Sequence, residues 1–227
     1  MPELKLALAT AQTVVLQAPP GSGKTTRVPL ALLGTSWLAD RRILMLEPRR
    51  LAATNAARYM ASLRNESVGA TIGYAIRYER KIGPDTRLEV ITEGLLTRRL
   101  QSNPELSGIG LVIFDEFHER SLQADLALAL CRDVQQGLRD DLRILIMSAT
   151  LDAEPLASML GDCPIITTSG RSFPVTVVHL ADVDQFRIAD AMARGIRQAR
   201  DPKRPRPLPE IILAAEHYNR IHRIIEE

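Results

Sequence analysis

The sequence contains few cysteines and no long apolar runs. Its two cysteines, Cys131 and Cys163, have neither metal-site nor redox spacing, so we expect a reducing, cytoplasmic compartment and no disulfide framework. No apolar run is long enough to cross a bilayer, and the first ten residues hold too short an apolar block for a signal peptide. These absences argue against membrane proteins and disulfide-rich secreted domains.

Lysine is also scarce, although positive charge is not. Only four of the 29 cationic residues are lysines, so arginine dominates, and its planar group suits paired hydrogen bonds to phosphate. Residues 1–100 carry 15 Lys and Arg against 8 Asp and Glu, a net charge of +7, whereas residues 101–227 carry −5. A basic half is compatible with a polyanionic partner, but solvated helix surfaces would give the same imbalance.

Short apolar runs rich in β-branched residues alternate with helical patterns. The predicted strands are residues 13–17, 42–47, 87–92, 111–114, 143–148 and 164–169, and the predicted helices are 24–34, 50–63, 94–102, 122–137 and 153–160. The strands are apolar on both faces, as in sheets covered by helices on each side. Right-handed crossovers then predict an α/β fold with a mainly parallel sheet and helices on both faces. Such sheets bind ligands at the carboxyl ends of their strands.

The pattern changes beyond residue 170. Residues 172–180 predict a further strand and residues 184–199 a helix. The segment DPKRPRPLP (201–209) predicts an extended linker because it holds four prolines. Residues 210–225 place isoleucines at helical spacing, which predicts an amphipathic helix that packs on the domain or pairs two chains.

The segment APPGSGKTT (18–26) joins the first predicted strand to a helix. Its glycines allow backbone N–H groups to surround an anion at the positive end of that helix. We expect Lys24 to reach the β and γ phosphates and Thr25 to ligate Mg²⁺, although Ala18 replaces the usual first glycine of a phosphate-binding loop. The alternative is a glycine-rich turn that caps a helix. The predicted nucleotide-binding residues here are Pro20, Gly21, Ser22, Gly23, Lys24, Thr25 and Thr26.

The run GLVIFDEFHERS (110–121) ends a predicted buried strand on two carboxylates. A magnesium nucleotide site needs a carboxylate for the metal and a base for water, both at the end of a strand neighbouring the phosphate loop. We expect Asp115 to orient the Mg²⁺ waters and Glu116 to polarise the attacking water, and both join Thr25 as metal-site candidates. Without the phosphate loop, Asp115 and Glu116 could simply be acidic residues at the N-terminus of a helix. Together with the loop, the pair predicts a nucleoside triphosphatase.

In order and spacing, six segments resemble those of the DEAH-box helicases, and within them the bacterial HrpB-type group. They are APPGSGKTT (18–26), LEPRRLAA (46–53), TEGLL (92–96), DEFHERS (115–121), MSATLD (147–152) and GRSFPV (170–175). The resemblance implies a RecA-like P-loop NTPase domain over residues 1–180, with residues 181–227 at a truncated start of the interdomain region and second domain. Phe117 departs from the usual Asp-Glu-Ala-His box but is typical of the HrpB-type group.

The resemblance also implies roles for single residues. His118 would sense the nucleotide, with a satisfied core histidine as the alternative. Hydrolysis would be coupled to nucleic-acid movement by Ser148, Ala149 and Thr150, for which a hydrogen-bonded strand end is the alternative. The RNA or DNA backbone would be contacted by Arg49, Arg50, Arg77, Thr92, Glu93 and Gly94, with a solvated surface as the alternative for each arginine.

No aromatic residue precedes Trp37, so no ring upstream of the loop can stack on adenine. The resemblance implies that Arg58 stacks on the base from one side. We therefore expect ATP or another nucleoside triphosphate with Mg²⁺ as cofactor, and little discrimination among ATP, GTP, CTP and UTP. The residues do not distinguish RNA from DNA.

The family's second RecA-like domain supplies arginine fingers from a Gln-Arg-x-Gly-Arg-x-Gly-Arg motif, which these 227 residues lack. Such a finger is worth about 10³–10⁵ in rate. We therefore expect a helicase domain that binds nucleotide but hydrolyses it slowly without its partner domain. A stand-alone P-loop kinase or NTPase and a non-catalytic nucleic-acid-binding module remain as alternatives.

Overall fold

The computed structural model of the protein describes residues 1–149 and 153–168. These residues form an eight-stranded sheet in the order β4-β3-β5-β2-β6-β7-β1-β8. Every pair of neighbouring strands is parallel except β3 and β4. The strands are β1 (Thr13–Gln17), β2 (Arg42–Glu47), β3 (Ile72–Ile76), β4 (Glu79–Lys81), β5 (Leu88–Thr92), β6 (Ile109–Phe114), β7 (Arg143–Ser148) and β8 (Ile165–Thr167).

Helices cover both faces of this sheet. They are α1 (Pro2–Thr10), α2 (Lys24–Leu32), α3 (Arg50–Leu63), α4 (Glu93–Ser102), α5 (Leu122–Gly137) and α6 (Ala153–Met159). Successive strand residues point to opposite faces, so each central strand contributes to two cores. In the first core, Val14 and Leu16 of β1 pack with α1, α2 and α3. In the second core, on the opposite face, Val15 packs with α4, α5 and α6. The predicted α/β fold, with a mainly parallel sheet covered on both faces, is confirmed.

Three elements were not expected from the sequence: α1, β3 and β4. Helix α1 buries Leu4 and Leu8 against the first core, although it is only nine residues long. Strand β3 contains Gly73, a residue that is depleted in strands. A Cβ at Gly73 would lie 2.4 Å from the backbone oxygen of Lys81, so the close approach of β4 requires glycine there.

Several predictions lie outside the described residues. These are the strand at 172–180, the helices at 184–199 and 210–225, the linker at 201–209, the segment GRSFPV and Thr150. Within residues 1–149 and 153–168, none of the helices combines the length and the apolar character that a bilayer-spanning segment requires.

The carboxyl ends of the parallel strands share one edge of the sheet, where the sequence places the candidate site. Strand β7 lies between β1 and β6, and the backbone N–H of Ala18 donates to the Ser148 oxygen at 2.9 Å. The expectation that the acids end a strand next to the phosphate loop was therefore wrong by one strand. The chain passes from β6 through α5 into β7, and β7 lies between β6 and β1.

Candidate nucleotide and nucleic-acid site

The loop after β1 turns through two left-handed glycines, Gly21 at φ 74° and Gly23 at φ 81°. Residues with a Cβ rarely adopt this backbone, which explains glycine at both positions. Gly23 caps α2, and its carbonyl accepts from the Arg27 N–H at 2.8 Å. A Cβ at Gly21 would meet no protein atom within 4 Å, so one side of the loop is open. Pro20 and Ser22 are exposed there, while Thr25 and Thr26 on α2 are partly buried.

Lys24, the first residue of α2, joins the loop to the acids after β6. Its side chain is only 6% exposed, and its Nζ donates to Glu116 Oε1 at 2.8 Å across 92 positions of the chain. The ammonium group therefore lies at the carboxyl edge with a partner that is itself 28% exposed. The structure brings together the two segments on which the nucleotide prediction depends.

Asp115 lies deeper, with 4% of its surface exposed. Its Oδ1 accepts from the Glu116 N–H at 2.8 Å, whereas its buried Oδ2 has no hydrogen-bond partner. Burial raises the pKa of Asp115, the Glu116 charge raises it further, and a hydrogen bond from Thr25 opposes both effects. A buried carboxylate oxygen without a partner is costly in a folded protein, unless a ligand absent from the fold completes it.

A third acid at this edge, Glu47, was not predicted; it ends β2 and is 2% exposed. Burial raises its pKa to about 9, and the charges of Asp115 and Glu116 act in the same direction. Glu47 is therefore protonated at neutral pH. The signal was present in the run RILMLE, where an acid ends an apolar strand at the edge that also carries Asp115.

His118 connects Glu116 with the end of β7. Its Nδ1 accepts from the Ala149 N–H at 3.4 Å, and its Nε2 lies 3.3 Å from Glu116 Oε2. Because Nδ1 is the acceptor, a neutral ring carries its proton on Nε2 and directs it toward Glu116. Ser148, fully buried at the end of β7, precedes this contact. Ala149 therefore contacts the acid segment (residues 115–119), and the coupling role of Ser148 and Ala149 stays a prediction.

Phe117 stands where the resemblance to the DEAH-box helicases would place alanine. It is 2% exposed and meets Phe114 edge-on, with ring centroids 6.1 Å apart at an interplanar angle of 87°. The Arg120 guanidinium lies 5.5 Å from the centre of the Phe117 ring. The aromatic side chain is therefore a packing element of the second core.

The predicted nucleic-acid residues Arg49 and Arg50 start α3. Arg49 is its N-cap, with an exposed side chain whose Nη2 donates to both carboxylate oxygens of Glu119 at 3.0 Å. Arg50 is exposed beside it. Both cations thus lie at the carboxyl edge, within reach of a polyanion in solvent.

Thr92, Glu93 and Gly94 start α4 at the same edge. The Glu93 carboxylate accepts from the Ser121 hydroxyl at 2.5 Å, and Ser121 Oγ accepts from the Ala124 N–H at 2.9 Å as the N-cap of α5. Gly94 is exposed, and a Cβ there would meet no protein atom within 4 Å. The Glu93 side chain therefore joins the N-termini of α4 and α5. The backbone of Glu93 and Gly94 is what an external ligand would contact.

Arg58 and Arg77 lie on the β3 side of the sheet. Arg77 is exposed, with its guanidinium 5.0 Å from the centre of the Tyr78 ring in the loop of the β3–β4 hairpin. The Tyr74 hydroxyl donates to Glu79 of β4 and lowers the pKa of that carboxyl, and the positive charge of Arg58 acts in the same direction. The contact of Arg58 with a base stays a prediction.

The matching family model, DEAD/DEAH box helicase, covers residues 3–158. The chain belongs to the DEAD/DEAH box helicase family. It is 57% identical to the ATP-dependent RNA helicase HrpB of Escherichia coli over 193 residues, which are 85% of this chain and 24% of HrpB. It is 39% identical to the putative ATP-dependent RNA helicase DHX57 of Homo sapiens over 186 residues, 80% of this chain and 13% of DHX57.

Solved structures agree with this assignment. The crystal structure of Escherichia coli DEAH/RHA helicase HrpB matches 87% of this chain and 26% of that protein, with a TM-score of 0.77 and 55% identity. This confirms the RecA-like fold that the motifs implied and separates the chain from the small P-loop kinases. The chain spans about a quarter of the length of HrpB.

Proposed function

We propose that this chain is the nucleotide-binding, nucleic-acid-contacting first RecA-like domain of an HrpB-type, ATP-dependent helicase. The observation that carries the proposal is the 2.8 Å contact of Lys24 with Glu116, which brings the phosphate loop and the acid segment to one place. Residues 1–180 would form this domain, and residues 181–227 would begin the interdomain region. A second RecA-like domain would supply arginine fingers, and a cytoplasmic location stays a prediction.

The residues at this edge fit Mg²⁺ held together with a nucleotide. The unpartnered Oδ2 of Asp115 and the Thr25 hydroxyl beside that carboxylate are hard oxygen donors of the kind that Mg²⁺ prefers. Among the described residues, no group of three or more His, Cys, Asp or Glu is arranged to hold a metal by itself. Mg²⁺ usually combines one or two protein ligands with substrate phosphates, which this sparse set matches.

Hydrolysis would begin with an exchange of partners at Lys24. A triphosphate would replace Glu116 as the anion that the ammonium group binds, which releases the Glu116 carboxylate. Glu116 could then accept the proton of the attacking water, with His118 Nε2 holding its second oxygen in place. Bound Mg²⁺ would neutralise phosphate charge. The open side of the loop at Gly21 leaves room for the phosphates.

Nucleic acid would bind through its backbone at Arg49 and Arg50, at the start of α4 and at Arg77. Arginines and helix N-termini bind phosphates without reading bases, so little sequence preference is expected. The relatives named above are called RNA helicases, which favours RNA as the polymer for this chain. A non-catalytic binding module is disfavoured because Lys24, Asp115 and Glu116 are all present and meet.

Two variants test the nucleotide site by calorimetric titration of Mg²⁺–ATP and by phosphate release with and without RNA. Lys24→Ala should abolish binding, whereas Glu116→Gln should retain nucleotide and lose turnover. Lys5→Ala removes a lysine charge from α1 and should match the wild type. Loss of nucleotide binding in Glu116→Gln would contradict the role of Glu116 as a base.

Base selectivity and slow turnover are measured on the same chain. Dissociation constants for ATP, GTP, CTP and UTP should be similar, because Arg58 would stack without reading base edges. A preference for ATP above about 100-fold, or about 2.7 kcal/mol, would contradict this expectation. Robust duplex unwinding by the 227-residue chain would contradict the need for a second domain.

A further inference from the structure

One predicted nucleic-acid contact, Arg49, already holds an anion of its own chain. Its Nη2 donates to both oxygens of Glu119 at 3.0 Å, and the two side chains are 56% and 36% exposed. Glu119 lies three residues after Glu116 and two strands away from the phosphate loop. The acid segment therefore contacts a cation of each predicted site, Lys24 through Glu116 and Arg49 through Glu119.

A backbone phosphate at Arg49 would compete with this carboxylate. Glu119 occupies a guanidinium nitrogen that the phosphate would use, and its negative charge would repel a phosphate placed beside it. Exposed ion pairs are weak, so the pair can be displaced. The carboxylate nevertheless lowers the affinity of every phosphate that binds there.

The turn that carries Glu119 is strained at both ends. Residues Phe117–Glu119 form a 3-10 turn flanked by Glu116 at φ 50° and Arg120 at φ 47°, a left-handed backbone that residues other than glycine rarely adopt. The Glu119 N–H donates to the Glu116 carbonyl at 2.9 Å, which closes the turn. This hydrogen bond links the backbone of Glu119 directly to that of Glu116.

We propose that Glu119 is a built-in competitor for nucleic-acid phosphate at Arg49. The inference rests on the proposed function, because it takes Arg49 as a phosphate contact. It assigns Glu119 as a residue that lowers nucleic-acid affinity by pairing with Arg49.

The test measures binding of short fluorescein-labelled single-stranded RNA by anisotropy, at several salt concentrations between about 50 and 200 mM. Glu119→Gln should bind RNA about two- to fivefold more tightly, the range expected for loss of an exposed ion pair. The slope of log K against log salt should steepen by up to about 0.7, the value for one more neutralised phosphate of a single strand.

Asp125→Asn is the matched control. Asp125 pairs with Arg120 at 3.1 Å and is 39% exposed, so its replacement removes an equal charge at the start of α5 without removing a carboxylate that pairs with Arg49. Glu119→Gln should also have no effect in an Arg49→Ala background, since the competition then has no target. A circular dichroism melt of each variant shows that the fold is retained.

The outcomes separate the two proposals. Wild-type chain that binds no RNA at low salt would overturn both. Binding that Glu119→Gln leaves unchanged, or that Asp125→Asn raises equally, overturns the competition and leaves the proposed function intact. An effect of Glu119→Gln that persists without Arg49 also overturns it. A gain specific to Glu119→Gln and dependent on Arg49 supports it.

Discussion

The protonated acid at the end of β2 predicts an unusual dependence of stability on pH. Glu47 has an ordinary pKa of 4.5 in the unfolded chain and a pKa of about 9 in the folded one, chiefly because of burial. Between these values the folded state binds more protons than the unfolded state. The stabilising contribution is therefore fully present below pH 4.5, declines as pH rises and is lost above about pH 9.

The magnitude follows from the number of protons involved. One proton that is bound only in the folded state changes the free energy of unfolding by about 1.4 kcal/mol per pH unit. From pH 6 to pH 8, Glu47 should thus lower that free energy by up to about 2.7 kcal/mol. Glu47→Gln cannot ionise, so this part of the pH dependence should disappear. The variant should gain stability relative to wild type as pH rises.

Urea unfolding at pH 6, 7 and 8 measures this change in the free energy of unfolding. The samples contain a metal chelator and no nucleotide. Glu66→Gln is the control, because hydrogen bonds from Thr71 and Arg64 lower the pKa of Glu66 and keep it ionised across this range. Equal slopes for wild type and Glu47→Gln would refute the assignment of a protonated Glu47. A change of slope in Glu66→Gln would show that the effect belongs to acids in general.

Three further substitutions test the packing by urea unfolding. Phe117→Ala should cost about 3–5 kcal/mol, because it leaves a cavity beside Phe114; a loss below about 1 kcal/mol would show that Phe117 is dispensable. Leu8→Ala should cost about 2–5 kcal/mol, and no loss would mean that α1 is not part of the core. Arg99→Ala should cost about 3–5 kcal/mol, because Arg99 Nη1 donates at 2.9 Å to Glu89, which is 1% exposed. Adding Glu89→Leu should recover much of that loss, and failure to recover would point to Arg99 itself.

Much of the fold was predictable because its central strands are apolar on both faces. Strands β1, β2 and β7 and helices α3 and α5 have the predicted bounds, since turn residues and a change of period mark each end. The antiparallel edge was not predictable in the same way. Strand β4 is exposed at all three positions, so no apolar run marks it, and Gly73 weakens the strand pattern of its partner β3.

The candidate site was predictable where local motifs define it, as for Lys24 and Asp115. Glu47 was missed because its raised pKa comes chiefly from burial in the folded chain, and then from the charges of Asp115 and Glu116, which lie 68 and 69 positions away. The pairing of Arg49 with Glu119 was missed for the same reason, as it joins residues 70 positions apart. Such contacts arise from the order of β2 and β6 in the sheet, which a strand–helix pattern does not specify.

Three unfavourable features lie at the edge where nucleotide is proposed to bind. Glu116 adopts a left-handed backbone, Asp115 buries an oxygen without a partner, and Glu47 gives up its charge. Two of these would be easy to relieve by substitution, since an apolar residue at 47 or a glycine at 116 would remove the cost. Stability alone therefore does not account for these three residues at adjoining strand ends. Their convergence around Lys24 is physical support for a binding function that is independent of any resemblance in sequence.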